Sequence, residues 1–570
     1  MDLDEIKETA TWQLYEKGKN FLRQNNVYSD TDRNYRFYNG NQWEGAKIEG
    51  IEQAQYNFIE TIVNYKVSTI NQNLWAINYS SENFDTKEFR QTAEDTCDML
   101  NRKAAKVWEK DQMDYKVRVI SDDAAINDEG LIYVDYNDET QDPINEILNK
   151  NNVQFGNEQS SDIQSQPYIL ISQRLPVSTC QMMAEQNGAS QEDIKYIVGD
   201  NVTFEEAGDD SKYEKDDMCT LVTKLWKQDG TVHYSKATRF VDLQEDEDTG
   251  LTLYPVAHFI WKEKKGWSRG EGEVRSLIPN QLELNKTLAR VLLSTKNCAF
   301  PQKVANMDKI ANPEAINTVG GTIKVMGGNS VDDVNRIFGY VQPTTMSSDV
   351  NRLMTDLIQI TRDLKNSGDI ATGGINPEQA SGKAILAIQE ASQQPLVKQL
   401  TGLKRFIEDL ARIWLDMWTV YTPDGMTLEE EITDPMTDES VINLVDIPSS
   451  VLENLQGTVK VDITPKGAFD KYARELSLEN YLKEGFFTAQ RVNELKYYAE
   501  ALPDDATAPK QKLLEICEKI EAEQARIAEI NAQAQMMQQR YNSFIGGSPE
   551  EQADTINQAM ATNNMENGAA

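Results

Sequence analysis

Residues 368–384 read Gly368-Asp369-Ile370-Ala371-Thr372-Gly373-Gly374-Ile375-Asn376-Pro377-Glu378-Gln379-Ala380-Ser381-Gly382-Lys383-Ala384, and from Ala384 onward apolar residues recur at helical spacing. Ala384, Ile385, Ala387 and Ile388, then Leu396, Leu400, Leu403, Phe406, Ile407, Leu410, Ile413, Trp414 and Met417 mark one buried helical face. A glycine-dense loop therefore opens into a helix over 383–422, about 60 Å long at about 1.5 Å per residue. Pro395 lies inside that run, where it removes one ladder bond and presses on the carbonyl four residues back, so a kink is expected there. Ser381-Gly382-Lys383-Ala384 invites comparison with a phosphate-binding P-loop. That motif needs glycine at 377 and a hydroxyl at 384, and the chain has Pro377 and Ala384. What remains is either a mobile loop before a helix N-terminus, able to meet an anion briefly, or an ordinary helix-helix connector.

On the N-terminal side of the loop, two shorter helices flank an insert. Val274, Ile278, Leu282, Leu288 and Leu292 form the first stripe, with Pro279 interrupting its first turn, and it fades at Asn297 to Pro301. Val350, Leu353, Met354, Leu357, Ile358 and Leu364 form the second, stopped by Asn366-Ser367-Gly368. Between them, about Pro301 to Thr345, lies a compact mixed segment with glycine turns. Upstream, Leu221 to Trp226 and Thr231 to Tyr234 bracket Asp229-Gly230, a hairpin signal. A third run, Leu251 to Trp261, follows an acidic turn at Glu245-Asp246-Glu247-Asp248. Position twelve from Glu245 is Val256 where a calcium loop needs Glu, so the turn is read as solvated.

Gly130 to Tyr136 alternates as a half-buried strand, and Asn149 to Gln166 reads as an exposed loop. Phe58, Ile62, Val63, Lys66, Val67 and Ile70 share a helical face, and another helix covers about Thr86 to Lys110. The first 80 residues read as helices broken by a polar, aromatic loop over Tyr35 to Trp43, with a turn at Asn39-Gly40. Beyond the long helix, Thr422 to about Lys466 returns to short strands, Val459 to Ile463 the clearest. Helices resume at Lys471. Leu513, Ile516, Ile520, Ile527, Ile530, Ala534, Met537 and Tyr541 form a heptad-like seam, with Glu523 in its gap, and a polar tail follows Gly546. The fold class is α+β, mostly helical.

The 570 residues carry 57 Lys+Arg against 92 Asp+Glu, a net charge of -35. A protein that grips DNA along its surface needs the opposite sign, and anionic membranes are disfavoured likewise. No stretch approaches the roughly 18 apolar residues of a membrane span, and the start, Met1-Asp2-Leu3-Asp4-Glu5, lacks a secretory signal. The acid is segregated. Residues 284–412 hold 15 basic and 12 acidic side chains, and within 284–325 Lys286, Arg290, Lys296, Lys303, Lys309 and Lys324 face only Asp308 and Glu314. Such a segment either solvates a helix face or meets an acidic partner or passing DNA. Cys97, Cys180, Cys219, Cys298 and Cys517 lack paired spacing and are read as reduced structural thiols. His233 and His258 are read as ordinary strand residues. No HExxH or Cys/His zinc constellation can be assembled from neighbours; a Ser-His-Asp or Cys-His arrangement would meet only in the fold, with two histidines leaving few places for it, and no enzyme, cofactor or metal is expected.

In its order of parts, the chain resembles the portal proteins of tailed bacteriophages, the head-to-tail connectors. The resemblance rests on Tyr35 to Trp43, the Asn57-to-Ile70 helix, Gly270-Glu271-Gly272-Glu273, Asn280-Gln281-Leu282-Glu283-Leu284-Asn285-Lys286, the second helix, the glycine loop and the long helix. It implies a ring subunit, commonly one of twelve, with an α/β wing, a helical stem, a small α/β clip, a long kinked helix and a helical crown. Residues 1–267 would form the wing, 268–300 and 346–366 the stem helices, 301–345 the clip and 367–382 a tunnel loop. The long kinked helix would follow at 383–422, then wing return strands at 423–469, a crown at 470–545 and a disordered tail at 546–570. Asn366, Asp369, Thr372, Asn376, Gln379 and Lys383 would face DNA in the channel. Lys286 and Arg290 would lie on the stem, and Lys296, Lys303, Lys309 and Lys324 toward clip partners.

The implied partners are further copies of the chain, the terminase large subunit, head-tail adaptor proteins, major capsid and scaffolding proteins, and double-stranded DNA passing without sequence recognition, with no membrane. The implied place is the portal vertex of the virion, with the host cytoplasm during assembly. An acidic oligomeric scaffolding or chaperone-like protein, and a nuclease, are the rival readings.

Overall fold

The structure, a computed structural model, describes residues 7–45, 53–72, 74–81, 87–200, 218–318, 320–327, 336–341, 348–365, 394–423, 425–433, 440–447 and 459–466, with shorter stretches between 478 and 536. It is a mixed helix and strand fold. The chain divides into two compact units, Met1–Met426 with Ile447–Pro465, and Thr427–Asp446 with Lys466–Ala570.

The first unit opens with helices Ala10–Gln24, Val27–Tyr38 and Phe58–Ile70. Thr9 caps the first, accepting from Trp12 N. The helix Val27–Tyr38 takes in Tyr35 to Tyr38, so the expected loop starts only at Asn39, where Gly40 supplies φ +82°. Strand β1 (Leu74–Ser81) follows, where only helices were expected, and pairs with β14 (Val459–Lys466), a partner far along the chain. Helices Lys87–Lys110 and Met113–Ile126 lead to β2 (Glu129–Asn137), β3 (Asp142–Leu148) and β9 (Val256–Ile260), an antiparallel sheet of order β3-β2-β9.

A second antiparallel sheet runs β4-β5-β6-β7-β8 in order, from β4 (Val153–Phe155) and β5 (Ile169–Pro176) to β6 (Met218–Gln228), β7 (Thr231–Ala237) and β8 (Asp242–Asp248). Asp229 and Gly230 take φ of +53° and +100°, as expected of a two-residue turn whose twist matches its strands. Two expectations fail here. Glu245 to Asp248 is no turn: these residues belong to edge strand β8, His233 lying opposite Asp248 and Tyr234 opposite Glu247. An edge strand tolerates a row of exposed acids, which also block further pairing. Asn149 to Gln166 is no exposed loop either, since Val153, Gln154, Phe155, Ile163 and Gln166 are buried.

The helix Val397–Tyr421 buries Leu403, Phe406, Ile407, Leu410, Ile413, Trp414, Met417 and Trp418, and sets Phe406 against Phe259 of β9 with ring centroids 6.2 Å apart. Asp416 accepts the backbone N–H groups of Thr252 and Leu253 at 2.8 and 2.9 Å, so Leu251 to Pro255 folds as a carboxylate-anchored turn and only Val256–Ile260 is strand. Pro395 sits in a 3-10 turn, Gln394–Leu396, that precedes this helix, so no α-helical kink is seen at it; residues 383–393 lie outside the described ones. Proline fits there because the first turn of a helix has no partner for its N–H. Pro279, by contrast, lies within the continuous helix Val274–Ala299 without ending it.

In the second unit, β12 (Met426–Thr433) pairs with β13 (Ser440–Ile447), and helix Val492–Ala501 follows. Cys517 is buried while Ile516, Ile527 and Ile530 of the expected seam are exposed; Leu513 and Ala534 are helical, and Met537 and Tyr541 lie outside the described residues. No described helix is long and apolar enough to cross a membrane.

Candidate functional site

Helices Val274–Ala299 and Ser348–Leu364 form an antiparallel pair. Lys365 Nζ reaches Ser276 Oγ at 2.5 Å and Asn280 Nδ2 donates to Thr361 Oγ1 at 3.0 Å, so one helix advances as the other returns. The segment joining them carries three of the six candidate basic residues, Lys303, Lys309 and Lys324, and the other three lie on the first helix.

The root begins at Gly270-Glu271-Gly272-Glu273. A Cβ on Gly272 would stand 2.1 Å from Asn127 O, and one on Gly270 would stand 2.7 Å from Lys262 O. Only glycine lets this segment pack against the end of helix Met113–Ile126 and the end of β9, with Glu271 N donating to Lys262 O and Glu273 N to Ala125 O. Glu273 then receives Lys66 Nζ at 2.8 Å, Lys365 Nζ at 2.9 Å and Trp261 Nε1 at 3.3 Å. Burial alone would raise this carboxyl, but Lys66 and Lys365 outweigh it and hold the pKa down to about 2. One carboxylate thus binds helix Phe58–Ile70 and both helices of the pair.

Next to it, Arg269 is fully buried and every guanidinium nitrogen donates to an acceptor. Nε donates to Glu158, Nη1 to Glu129 and to Lys150 O, and Nη2 to Val153 O and to Glu158. His258 Nε2 lies 2.8 Å from the other Glu129 oxygen. Burial pushes the Glu129 carboxyl up and Arg269 pulls it further down, helped by His258 and Lys150, to about 2. His258 is therefore not an ordinary strand residue but part of a buried ion network. This network also explains why Lys150, Asn151 and Val153 to Phe155 are buried: the Lys150 and Val153 carbonyls and Glu158 enclose the guanidinium.

The side of helix Val274–Ala299 bears a third, neutral network. Gln281 Oε1 accepts Phe58 N, Gln281 Nε2 donates to Tyr56 O and to Asn285 Oδ1, and Asn285 Nδ2 donates to Gln42 Oε1. Gln42 Nε2 in turn donates to Phe37 O and Asn57 Oδ1. Segments far apart in sequence, 37–57 and 281–285, are tied by amide pairs whose geometry neither segment discloses alone.

At the opposite end of the pair, β10 (Lys303–Ala305) and β11 (Phe338–Tyr340) form a two-stranded antiparallel ribbon, beside a bridge between Ile310 and Val325. Lys303, Lys309 and Lys324 come together on this small module. Lys303 Nζ donates to Ile316 O, Lys309 O accepts Met326 N, and Lys324 O accepts Ala311 N. All three lysines are exposed, among exposed apolar side chains of Phe300, Val304, Met307, Met326, Tyr340 and Val341. Lys296 is exposed in the last turn of its helix, and Lys286 and Arg290 lie on its outer face near Glu283, at 3.8 and 3.5 Å. Asn366, Asp369, Thr372, Asn376, Gln379 and Lys383 lie outside the described residues.

Among the described residues no cluster of His, Cys, Asp or Glu could hold a metal ion. Cys97, Cys180, Cys219 and Cys517 are buried and none of the five cysteines is in a disulfide; Cys298 is exposed, so the structural reading does not extend to it. Arg269, Glu129, Glu158 and Glu273 escaped the sequence reading, because an isolated Arg or Glu carries no local sign of burial; the close pair Gly270 and Gly272 was the available signal.

A comparison with curated proteins finds no match. A family model described as Phage P22-like portal protein matches residues 19–568, nearly the whole chain, including the root, the helix pair and the basic tip. The chain belongs to the P22-like family of phage portal proteins.

Proposed function

We propose that this portal protein acts as one subunit of a closed ring, commonly of twelve, whose axis is the channel through which double-stranded DNA is packaged and ejected. The observation that carries the reading is the antiparallel helix pair, rooted at one end by buried charge and bearing an exposed basic and apolar module at the other. In this reading 1–267 and 423–469 form the wing, 268–300 and 346–366 the stem, 301–345 the clip, and 470–545 the crown. Residues 367–382 form the tunnel loop, whose Asp369, Thr372, Asn376 and Gln379, with flanking Asn366 and Lys383, brush the DNA. The net charge of -35 suits a conduit, because an acidic body does not hold a polyanion that must slide. Lys296, Lys303, Lys309 and Lys324 offer the terminase large subunit, and later the adaptors, a positively charged platform. Assembly with capsid and scaffolding proteins begins in the host cytoplasm.

Electron microscopy of the purified protein tests the reading. Rotationally symmetric rings with an open centre are expected, and particles that stay monomeric or dimeric at high concentration would count against it.

A further inference from the structure

We propose that Cys180 and Cys219 are a redox pair, two thiols held side by side that close into a disulfide on mild oxidation and staple helix Val177–Gln186 to strand β6. Far apart in sequence, they meet through the pairing of β5 with β6. Leu175 lies opposite Cys219 and Pro176 opposite Met218, so β6 begins beside the point where β5 turns directly into helix Val177–Gln186. The first turn of that helix carries Cys180 back over the sheet. Both side chains are buried, at 0% and 1% exposure, in one apolar cluster with Ala184, Ile197, Leu221, Val241 and Leu243. Their sulfurs lie within hydrogen-bonding reach, Cys219 donating to Cys180. Contact between the sulfurs is the first condition for a disulfide, because thiols that point apart cannot be bridged without moving the backbone.

One side of the pair is fixed and the other is lightly held. Next to Cys219, Thr220 N donates to Asp200 Oδ2 at 2.7 Å, and Arg174 Nη2 donates to Asp200 O at 3.0 Å, which ties the start of β6 to β5. Helix Val177–Gln186 has ten residues, buries only Cys180 and Ala184, and has no side-chain cap from Pro176 before it. A helix with so narrow a buried face opens locally at small cost, which admits a small oxidant to an otherwise enclosed pair.

The chemistry needs only a peroxide. The hydrogen bond donated by Cys219 holds the Cys180 thiol below its ordinary value, and the same bond, with burial, pushes the Cys219 thiol up, so Cys180 is the nucleophile. Its sulfur attacks one oxygen of hydrogen peroxide. The O–O bond breaks, a sulfenic acid forms, and the Cys180 proton leaves with the other oxygen as water. The Cys219 sulfur then attacks the sulfenic sulfur. The S–O bond breaks, the S–S bond forms, and the hydroxyl leaves with the Cys219 proton as a second water. Two thiols lose two electrons and one peroxide gains them. The pair stays open where glutathione keeps thiols reduced and closes where peroxide prevails.

The test uses the full chain carrying Cys298→Ser, since the exposed Cys298 would otherwise couple copies. After a small molar excess of hydrogen peroxide, free thiols counted in denaturant should fall by two. Digestion without reductant should give one linked peptide pair, Cys180 with Cys219, abolished by dithiothreitol. Amide exchange over 177–186 should slow by about tenfold or more and recover on reduction. Adding Cys219→Ser should leave Cys180 as a sulfenic acid that dimedone traps. An unchanged thiol count, a link from Cys180 to any other cysteine, or Cys180 oxidised to sulfinic acid with no link would overturn the pair, and each is read on a chain that retains both thiols. A Cys180–Cys219 link with unchanged exchange over 177–186 would overturn the staple. None of these outcomes depends on whether the subunits form rings.

Discussion

Glu273 is a carboxylate on which two opposed effects act. Burial disfavours its charge, while Lys66 and Lys365, both within 3 Å, favour it by more, and the balance lies near a pKa of about 2 against 4.5 ordinarily. Glu129, between Arg269 and His258, behaves alike. A carboxyl held below its unfolded value stabilises the fold fully above about pH 4.5 and loses that contribution as the pH falls toward about 2. Glu273 contributes on the order of 3 kcal/mol at about 1.4 kcal/mol per pKa unit. Replacing Glu273 by Gln should therefore weaken the body at pH 7 and flatten its acid limb. Denaturant midpoints between pH 7 and pH 3 should fall less in the variant than in the parent, and equal falls would refute the account.

Among elements, the short segment before helix Val274–Ala299 decides where that helix goes. Alanine at 272 would place its Cβ 2.1 Å from a backbone oxygen, which has no flexible end to move aside. Gly272→Ala should cost about 2 kcal/mol or more. Gly402, inside helix Val397–Tyr421, is the contrast: its nearest neighbour would be Phe259 at 3.4 Å, an ordinary contact. Gly402→Ala should stabilise by up to about 1 kcal/mol, because glycine is a poor helix residue. Thermal melts of the two variants check the pair, and shifts of the same sign would show that the close approach at 272 is not what positions the helix. The ribbon of β10 and β11 is an element of another kind, too short to be stable without its surroundings.

For the whole molecule, charge is unevenly distributed. The chain is strongly acidic, yet its exposed tip carries Lys303, Lys309 and Lys324 beside apolar side chains, and the proposed docking of an acidic partner there is testable. Reversing Lys303 and Lys309 to Glu should weaken binding of the terminase large subunit at least tenfold at low salt, with a smaller effect at high salt where such attractions are screened. Ring symmetry should persist in that variant. Binding equal to the parent's at both salt concentrations would remove these lysines from the docking surface.

What the sequence determined by itself was whatever repeats at short range. The helical stripes of 58–70, 274–299 and 348–364, the Asp229-Gly230 hairpin and the basic bias of 284–325 are periodicities or local counts, and the structure contains each of them. Tertiary structure decided what depends on partners far along the chain. Strand β1 exists beside β14, across nearly 400 residues, and Val153 to Phe155 are buried because they surround Arg269. Glu245 to Asp248 becomes strand because β7 supplies its hydrogen bonds, although its composition reads as a turn. The root of the helix pair is legible only in part: two glycines marked the place, but the value of Glu273, Arg269 and Gln281 lies in groups brought within hydrogen-bonding distance from other segments. Short-range pattern reflects the backbone's own periodicity, whereas a buried charge is defined by its surroundings, and those form only when the chain folds.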